Sequence, residues 1–257
     1  MNIVLEAASV SFSYEPNKEI IKDVTLKFRR GEIHAILGLN GSGKSSLLKI
    51  LGGLLKPDSG SISSHGKVGI VFQNPDDQFV YSKVIDDVSF GPMNQELSRI
   101  EVLSRAMDAL SKTNLLEMKD REIDSLSGGE KERAALSGCL ALNSDVLILD
   151  EVLSMIDPTS KAEYLSLLLS LKNEGKTIII VTHDASEAAI ADYVHVIDRG
   201  KIVSSGDSHA ILTDKELLEG IGIDCPFATK LASTIDFILM KTPRALEKSC
   251  AGYFCKS

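Results

Sequence analysis

The sequence predicts an α/β fold: a largely parallel sheet that carries a phosphate-binding loop, a half-solvated antiparallel sheet beside it, and an inserted helical lobe. Three observations support this. Residues 38–46 read Gly-Leu-Asn-Gly-Ser-Gly-Lys-Ser-Ser, between an apolar run at 33–37 and Leu47-Leu48-Lys49-Ile50-Leu51, whose spacing suits the first turns of a helix. Two more apolar runs, 146–149 and 177–182, have the length of buried strands and end in Asp150-Glu151 and His183. Residues 24–28 alternate apolar and polar, while residues 84–142 repeat at helical spacing.

Strand, glycine loop and helix in that order form a phosphate cradle. Glycines at 41 and 43 let successive backbone N–H groups converge on phosphate oxygens without a Cβ in the way. The helix start adds free N–H groups and the positive end of its dipole. Asn40, Gly41, Ser42, Gly43, Lys44, Ser45 and Ser46 are therefore the expected nucleotide contacts. Lys44 would reach the β- and γ-phosphates, and the Ser45 hydroxyl would complete a Mg²⁺ shell. A glycine turn followed by a chance Lys-Ser is the plain alternative, and the flanking strand and helix argue against it. The expected ligand is a nucleoside triphosphate.

With 257 residues, 44% hydrophobic and 25% charged, the chain can bury one large core or a core with an inserted lobe. Only 5% is aromatic, Trp is absent, and the net charge of −8 comes with scattered Lys and Arg. A base-stacking platform or phosphate-backbone footprint does not follow, so no nucleic-acid partner is expected. The start Met-Asn-Ile-Val-Leu-Glu shows no basic then apolar signal pattern. No stretch approaches the roughly 20 apolar residues of a membrane helix, so a cytosolic protein is expected unless a partner holds it at a membrane. Cys139, Cys225, Cys250 and Cys255 are few and unevenly spaced, as reduced thiols are. Zinc at Cys250 and Cys255 is disfavoured because no second ligand pair accompanies them.

In order, residues 4–14 read as a strand ending in Phe12-Ser13-Tyr14, and 24–28 as a strand of an antiparallel sheet. Tyr14 could stack on a purine or simply pack. A turn is expected at Pro57-Asp58-Ser59-Gly60, then a buried strand at 68–72. Gln73 follows that strand and could reach Mg²⁺ or an attacking water, since open α/β sheets bind ligands at the carboxyl ends of their strands. Asp76 and Asp77 lie just beyond it and also suit an Asx-type turn. In the helical lobe, Glu101, Val102, Leu103, Ala106 and Leu110 mark one face. The lobe ends in Leu126-Ser127-Gly128-Gly129-Glu130, a cap or anion-binding start for a helix at 131–142. Asp150 is placed to hold the Mg²⁺ shell, mostly through water, and Glu151 to take a proton from water in line with the γ-phosphate. His183 could touch the γ-phosphate or be structural. Residues 193–198 and 201–204 read as strands around the turn Arg199-Gly200, and 214–257 as helical to about Met240.

Together these residues resemble the ATP-binding subunits of ABC transporters, over about the first 240 residues and with the family's motifs in order. Tyr14 resembles the aromatic loop, residues 38–45 the Walker A loop, Gln73 the Q-loop, and residues 126–130 the signature. Asp150-Glu151 resembles the Walker B pair, residues 154–157 the D-loop, and His183 the switch histidine. The resemblance implies a P-loop NTPase (RecA-like) core with an antiparallel β subdomain and an inserted α-helical subdomain at about 84–142. A carboxyl-terminal tail at 241–257 does not match the family's longer region. It implies ATP and Mg²⁺ as ligands, with Glu151, His183 and Gln73 catalytic and Ser45, Gln73 and Asp150 at the metal. It also implies a head-to-tail dimer with a second ABC ATPase, identical or a paralogue. Ser127, Gly128 and Gly129 would bind the partner's nucleotide, and Asp157 would sit on the seam.

The finer resemblance is to energy-coupling-factor (ECF) importers, including the cobalt-type ATPases. Phe-Gln-Asn-Pro-Asp-Asp-Gln at 72–78, Ser-Met-Ile-Asp-Pro at 154–158 and Ile-Asp-Cys-Pro-Phe at 223–227 carry it. It implies a peripheral protein on the cytoplasmic face of the membrane, bound to a membrane scaffold (the T component) through coupling helices. That scaffold carries a substrate-binding membrane S component for a vitamin or metal ion. Asp76 and Asp77 would accept the scaffold's arginines. Glu130 stands where Gln is commoner, and Leu153 where Thr is usual. An efflux ATPase is the rival within the family. A soluble ABC-type protein on nucleic acid lacks the expected tandem cassettes or basic face, and a dead regulatory module conflicts with intact Lys44, Asp150, Glu151 and His183.

Overall fold

The computed structural model describes residues 2–16 and 18–224. The helical pattern expected from 214 to Met240 is described only to residue 224, and Cys225-Pro226-Phe227, the tail at 241–257, Cys250 and Cys255 lie outside the described residues. The chain begins with β1 (Ile3–Glu15) and β2 (Lys18–Arg29), then β3 (Ile33–Leu37), α1 (Lys44–Leu51), β4 (Ser59–Ser64) and β5 (Val68–Val71). Three helices follow, α2 (Val84–Met93), α3 (Arg99–Lys112) and α4 (Gly128–Ala141), before β6 (Val146–Asp150). The described part closes with α5 (Pro158–Asn173), β7 (Thr177–Thr182), α6 (Ala185–Ala188), β8 (Tyr193–Asp198), β9 (Lys201–Asp207), α7 (Ser208–Thr213) and α8 (Lys215–Gly220).

A six-stranded sheet runs β5-β6-β7-β3-β8-β9, parallel except for the last hairpin, and an antiparallel sheet runs β2-β1-β4. The central strands are apolar on both faces because both faces are covered. Alternate residues sort into two cores. Ile33, Ala35, Leu37, Leu147, Leu149, Ile178 and Ile180 pack with helix residues such as Val88, Leu110, Leu136 and Leu168. Ile36, Ile148, Ile179 and Val181 pack with Leu47, Leu48 and Leu51 of α1 and with Val4, Leu5 and Phe28 of the antiparallel sheet. The strand that leads into the glycine loop thereby contributes to both cores, and the helix that follows the loop is seated in one of them.

β2 keeps the predicted alternation, with Val24, Leu26 and Phe28 buried and Thr25 and Lys27 exposed. Where a turn is expected through Ser59-Gly60, the chain instead starts β4, which pairs antiparallel with β1. Its sequence, Ser-Gly-Ser-Ile-Ser-Ser, has one apolar residue, so pairing and not burial makes it a strand. On α3, Val102, Ala106, Ala109 and Leu110 are buried, but Leu103 is 40% exposed and Glu101 serves as the far half of a capping box with Ser98. The last helix of the lobe starts at Gly128, three residues earlier than expected, because Ser127 is its N-cap. At the β8–β9 turn, Arg199 and Gly200 both have positive φ (46° and 82°), as a two-residue hairpin turn requires.

Candidate nucleotide site

The loop between β3 and α1 is shaped by its glycines. Gly41 and Gly43 take φ of 80° and 106°. A Cβ on Gly38 would lie 2.4 Å from the Ile197 carbonyl oxygen. The loop is tied to the β8–β9 turn, where Gly200 N–H donates to the Ser42 carbonyl at 2.9 Å. A cavity of about 440 Å³ opens over it, lined by Tyr14, Ile20, Asn40, Gly41, Gly43, Lys44, Ser45, Ser46, Gln73 and Glu151. Ser42, expected among the contacts, is buried and absent from that lining; its hydroxyl lies under the loop without a hydrogen-bond partner.

Three side chains converge on the Glu151 carboxylate. Lys44 Nζ is 3.2 Å from Oε1, Gln73 Nε2 donates to Oε2 at 3.2 Å, and His183 Nδ1 is 3.6 Å from Oε1. Lys44 also donates to the Leu39 carbonyl at 3.1 Å. Glu151 itself is buried and has φ of 51°, a left-handed conformation unusual for a side chain with a Cβ. Its backbone N–H donates to the Val181 carbonyl at 2.9 Å, and the Ser154 hydroxyl donates to its carbonyl at 2.6 Å. Those bonds hold the strained residue in place.

Asp150 is buried, and its Oδ1 has no hydrogen-bond partner. Burial, reinforced by the neighbouring Glu151 charge, pushes its carboxyl up to about 6, against the pull of Lys44, Lys49 and the Ser45 hydroxyl. A second cavity of about 560 Å³ is lined by Ser45, Gln73 and Asp150, the predicted metal set, together with Lys49, Asn74 and Asp77. Among the described residues no three or more His, Cys, Asp or Glu side chains gather as a metal cage.

Tyr14 packs as one of its two expected roles requires and leaves much of its ring exposed. Its ring packs edge-on against Phe12 at 4.9 Å, is 58% exposed, and its hydroxyl shares a hydrogen bond with Ser46 Oγ at 3.2 Å. Ile20 lines the cavity beside it and was not foreseen. The available signal was an apolar residue near the open end of a strand that pairs back on Tyr14's own strand.

Ser127, Gly128 and Gly129 do not line the Lys44 cavity. Ser127 and Gly128 are exposed at the start of α4, where Ser127 and Glu130 form a reciprocal capping box. Glu130 holds this cap as a Gln would, and its carboxylate is lowered chiefly by the Ser127 N–H. Asp157 is exposed ahead of α5 and accepts from Ser160 N–H at 3.1 Å. Asp76 and Asp77 separate. Asp76 pairs with Lys131 at 2.7 Å, whereas Asp77 lines the cavity it shares with Gln73. Leu153 is buried in the larger core.

Comparison with known proteins places the chain in a family. The family model described as ABC transporter matches residues 21–154. The chain is 42% identical over 243 residues to the energy-coupling factor transporter ATP-binding protein EcfA1 of Ligilactobacillus salivarius, covering 89% of this chain and 86% of that protein. It is 38% identical over 252 residues to EcfA of Methanosphaera stadtmanae, covering 92% and 91%. It is also similar to the solved structure of cbiO1 from Clostridium perfringens, described as part of the ABC transporter complex cbiONQ. There the TM-score is 0.77 at 34% identity, with 91% of this chain and 100% of that one covered. The chain belongs to the ABC transporter family and is an ATPase subunit of the energy-coupling-factor class.

Proposed function

We propose that this chain binds ATP with Mg²⁺ on the loop at 38–46 and hydrolyses it to drive uptake of a vitamin or metal ion through membrane partners. The convergence of Lys44, Gln73 and His183 on Glu151 supports this most directly. Glu151 takes the proton of the attacking water, Gln73 orients that water, and Lys44 and His183 balance charge on the phosphates. Tyr14 offers its ring to the base, and Asn40, Gly41, Gly43, Ser45 and Ser46 cradle the phosphates. Ser45, Gln73 and Asp150 fit Mg²⁺, since the buried Asp150 Oδ1 lacks a partner beside the cavity they line. When bound, the ion supplies positive charge against the phosphate oxygens.

The exposed N-terminus of α4 supports a head-to-tail dimer in which Ser127, Gly128 and Gly129 complete the partner's nucleotide site, with Asp157 at the seam. Docking of a membrane scaffold (the T component) is supported by a groove of about 290 Å³ lined by Leu54, Val80, Phe90 and Asp87. Leu54, Val80 and Phe90 are 56%, 60% and 39% exposed. Asp77 opens on the adjoining cavity and is the better acceptor for a scaffold arginine, because Asp76 already has a lysine. No helix among the described residues is long and apolar enough to cross a membrane, so transport falls to partners, including an S component that selects the cargo.

The test is a pull-down of tagged protein from detergent-solubilised membranes, with every co-purifying protein identified. A second ATPase, a hydrophobic scaffold and a small substrate-binding membrane protein are expected. Recovery of ribosomes, DNA or no membrane protein contradicts the importer reading.

A further inference from the structure

The turn that follows Gln73 and the helix that starts at Ser127 are joined by one ion pair across 55 residues of sequence, Lys131 Nζ to Asp76 Oδ1 at 2.7 Å. Both ends are built into rigid segments. Asp76 sits in a single 3₁₀ turn, Pro75–Asp77, whose Pro75 is buried. Gln78 closes that turn back on the end of β5 by accepting from Phe72 N–H at 3.0 Å. Lys131 lies in the first turn of α4, its N–H donating to the Ser127 carbonyl at 2.9 Å, and its side chain is 17% exposed.

A continuous path results. Glu151 bonds Gln73, Gln73 leads into the turn that carries Asp76, Asp76 pairs with Lys131, and Lys131 bonds back to Ser127. Lys131 does not line the cavity over the glycine loop or either cavity beside Gln73 and Phe72, and Asp76 lines none of the three. The pair therefore touches neither nucleotide nor groove. It joins the segment beside one catalytic carboxylate to the helix end offered to the neighbouring subunit.

We propose that Lys131 and Asp76 are positioning residues for ATP hydrolysis: their ion pair sets the Ser127–Gly129 end of α4 relative to Gln73 and Glu151, and so couples the two nucleotide sites of the dimer. The inference rests on the head-to-tail ATPase reading above. A pair with one partner half exposed has a modest energy, so an effect of about 3- to 5-fold in rate is expected and not an all-or-none switch.

The experiment follows ATPase rate against ATP concentration for the full-length chain in the assembly purified with its partners. The variants are K131Q, K131R, D76N and the charge-swapped double variant K131D/D76K. K131Q and D76N should lower kcat about 3- to 5-fold and move the Hill coefficient toward 1, with KM for ATP changed less than about 2-fold. K131R should stay near wild type, and the swap should recover at least half of the loss, as a double-mutant cycle requires of a direct pair. Melting temperatures should stay within about 2 °C, separating positioning from simple stabilisation.

Unchanged kcat and Hill coefficient in K131Q overturn the proposal, as does a swap that recovers nothing or a wild-type assembly without cooperativity. Loss in D76N with a normal K131Q also overturns it and assigns Asp76 to the scaffold. A wild-type assembly no more active than E151Q instead removes the ATPase reading on which the proposal stands.

Discussion

Lys44 and Glu151 form a 3.2 Å ion pair although they follow two strands, β3 and β6, that are not neighbours in the sheet. Strand β7 lies between them and ends at His183, whose Nδ1 is 3.6 Å from the same Glu151 oxygen. The segments after three strands thus bring a carboxylate, an amine and an imidazole to a single point. This is the carboxyl edge at which open α/β sheets place their chemistry.

Glu151→Gln is expected to keep ATP binding and abolish turnover. The amide preserves the shape and the partner to Gln73 but cannot accept a proton. Loss of a general base costs about 100-fold or more in rate. Phosphate release beside nucleotide binding, measured on one preparation, checks this; equal loss of both would assign Glu151 a binding role.

Gly200→Ala should disable the loop from a distance. A Cβ there would lie 2.0 Å from the Ile20 carbonyl oxygen at a residue with φ of 82°. Gly200 also anchors Ser42 and accepts from Lys22 N–H at 2.9 Å. Strain of this kind costs on the order of 1–3 kcal/mol, so the melting temperature should fall and ATP affinity weaken together. Unchanged thermal unfolding would contradict it.

Stability should fall on both sides of neutral pH. His34 and His195 stack at 5.6 Å, and burial pushes them down to about 4 and about 3. As pH drops from about 6.5 toward 4, the unfolded chain takes up protons that the fold refuses, so stability is lost. Burial, with a smaller push from Asp76, raises Glu132 to about 8, so the fold holds a proton the unfolded chain has released. That contribution is present at low pH and disappears as pH rises from about 4.5 through 8. Denaturant unfolding across pH should show a stability loss approaching pH 8 that Glu132→Gln removes. Its persistence in that variant would contradict the assignment.

Asp87→Ala should weaken the groove without touching the nucleotide loop. Asp87 Oδ1 accepts from Val80 N–H at 2.7 Å and Tyr81 N–H at 3.0 Å, and burial raises its carboxyl. Losing both bonds costs about 1–3 kcal/mol locally and releases Val80 and Tyr81. Scaffold recovery in the pull-down should drop while ATP affinity stays within about 2-fold, an order-of-magnitude bound. Full recovery of the scaffold would remove Asp87 from the docking surface.

The legible parts of the sequence were those where local pattern and tertiary role coincide. β3, β6 and β7 are apolar because both faces are buried, so run length revealed them together with the chemistry at their ends. β4 was missed because a Ser-rich segment becomes a strand only by pairing with β1. Lys131 and Glu132 lie in the charged run Glu-Lys-Glu-Arg and drew no reading of their own. One found Asp76 far away in sequence, and the other is buried with both carboxylate oxygens unpartnered. Neither fact has a local signal. Ser42 resembled its loop neighbours, yet the turn of the loop sends it inward.

The most direct test of the central claim is ATP-dependent phosphate release by the membrane-protein assembly purified through this chain, comparing wild type with Lys44→Ala. Removing the ammonium that faces both Glu151 and the loop cavity should abolish release while the same membrane proteins still co-purify. Release that continues undiminished in Lys44→Ala would show that another subunit supplies the activity, and would contradict the account.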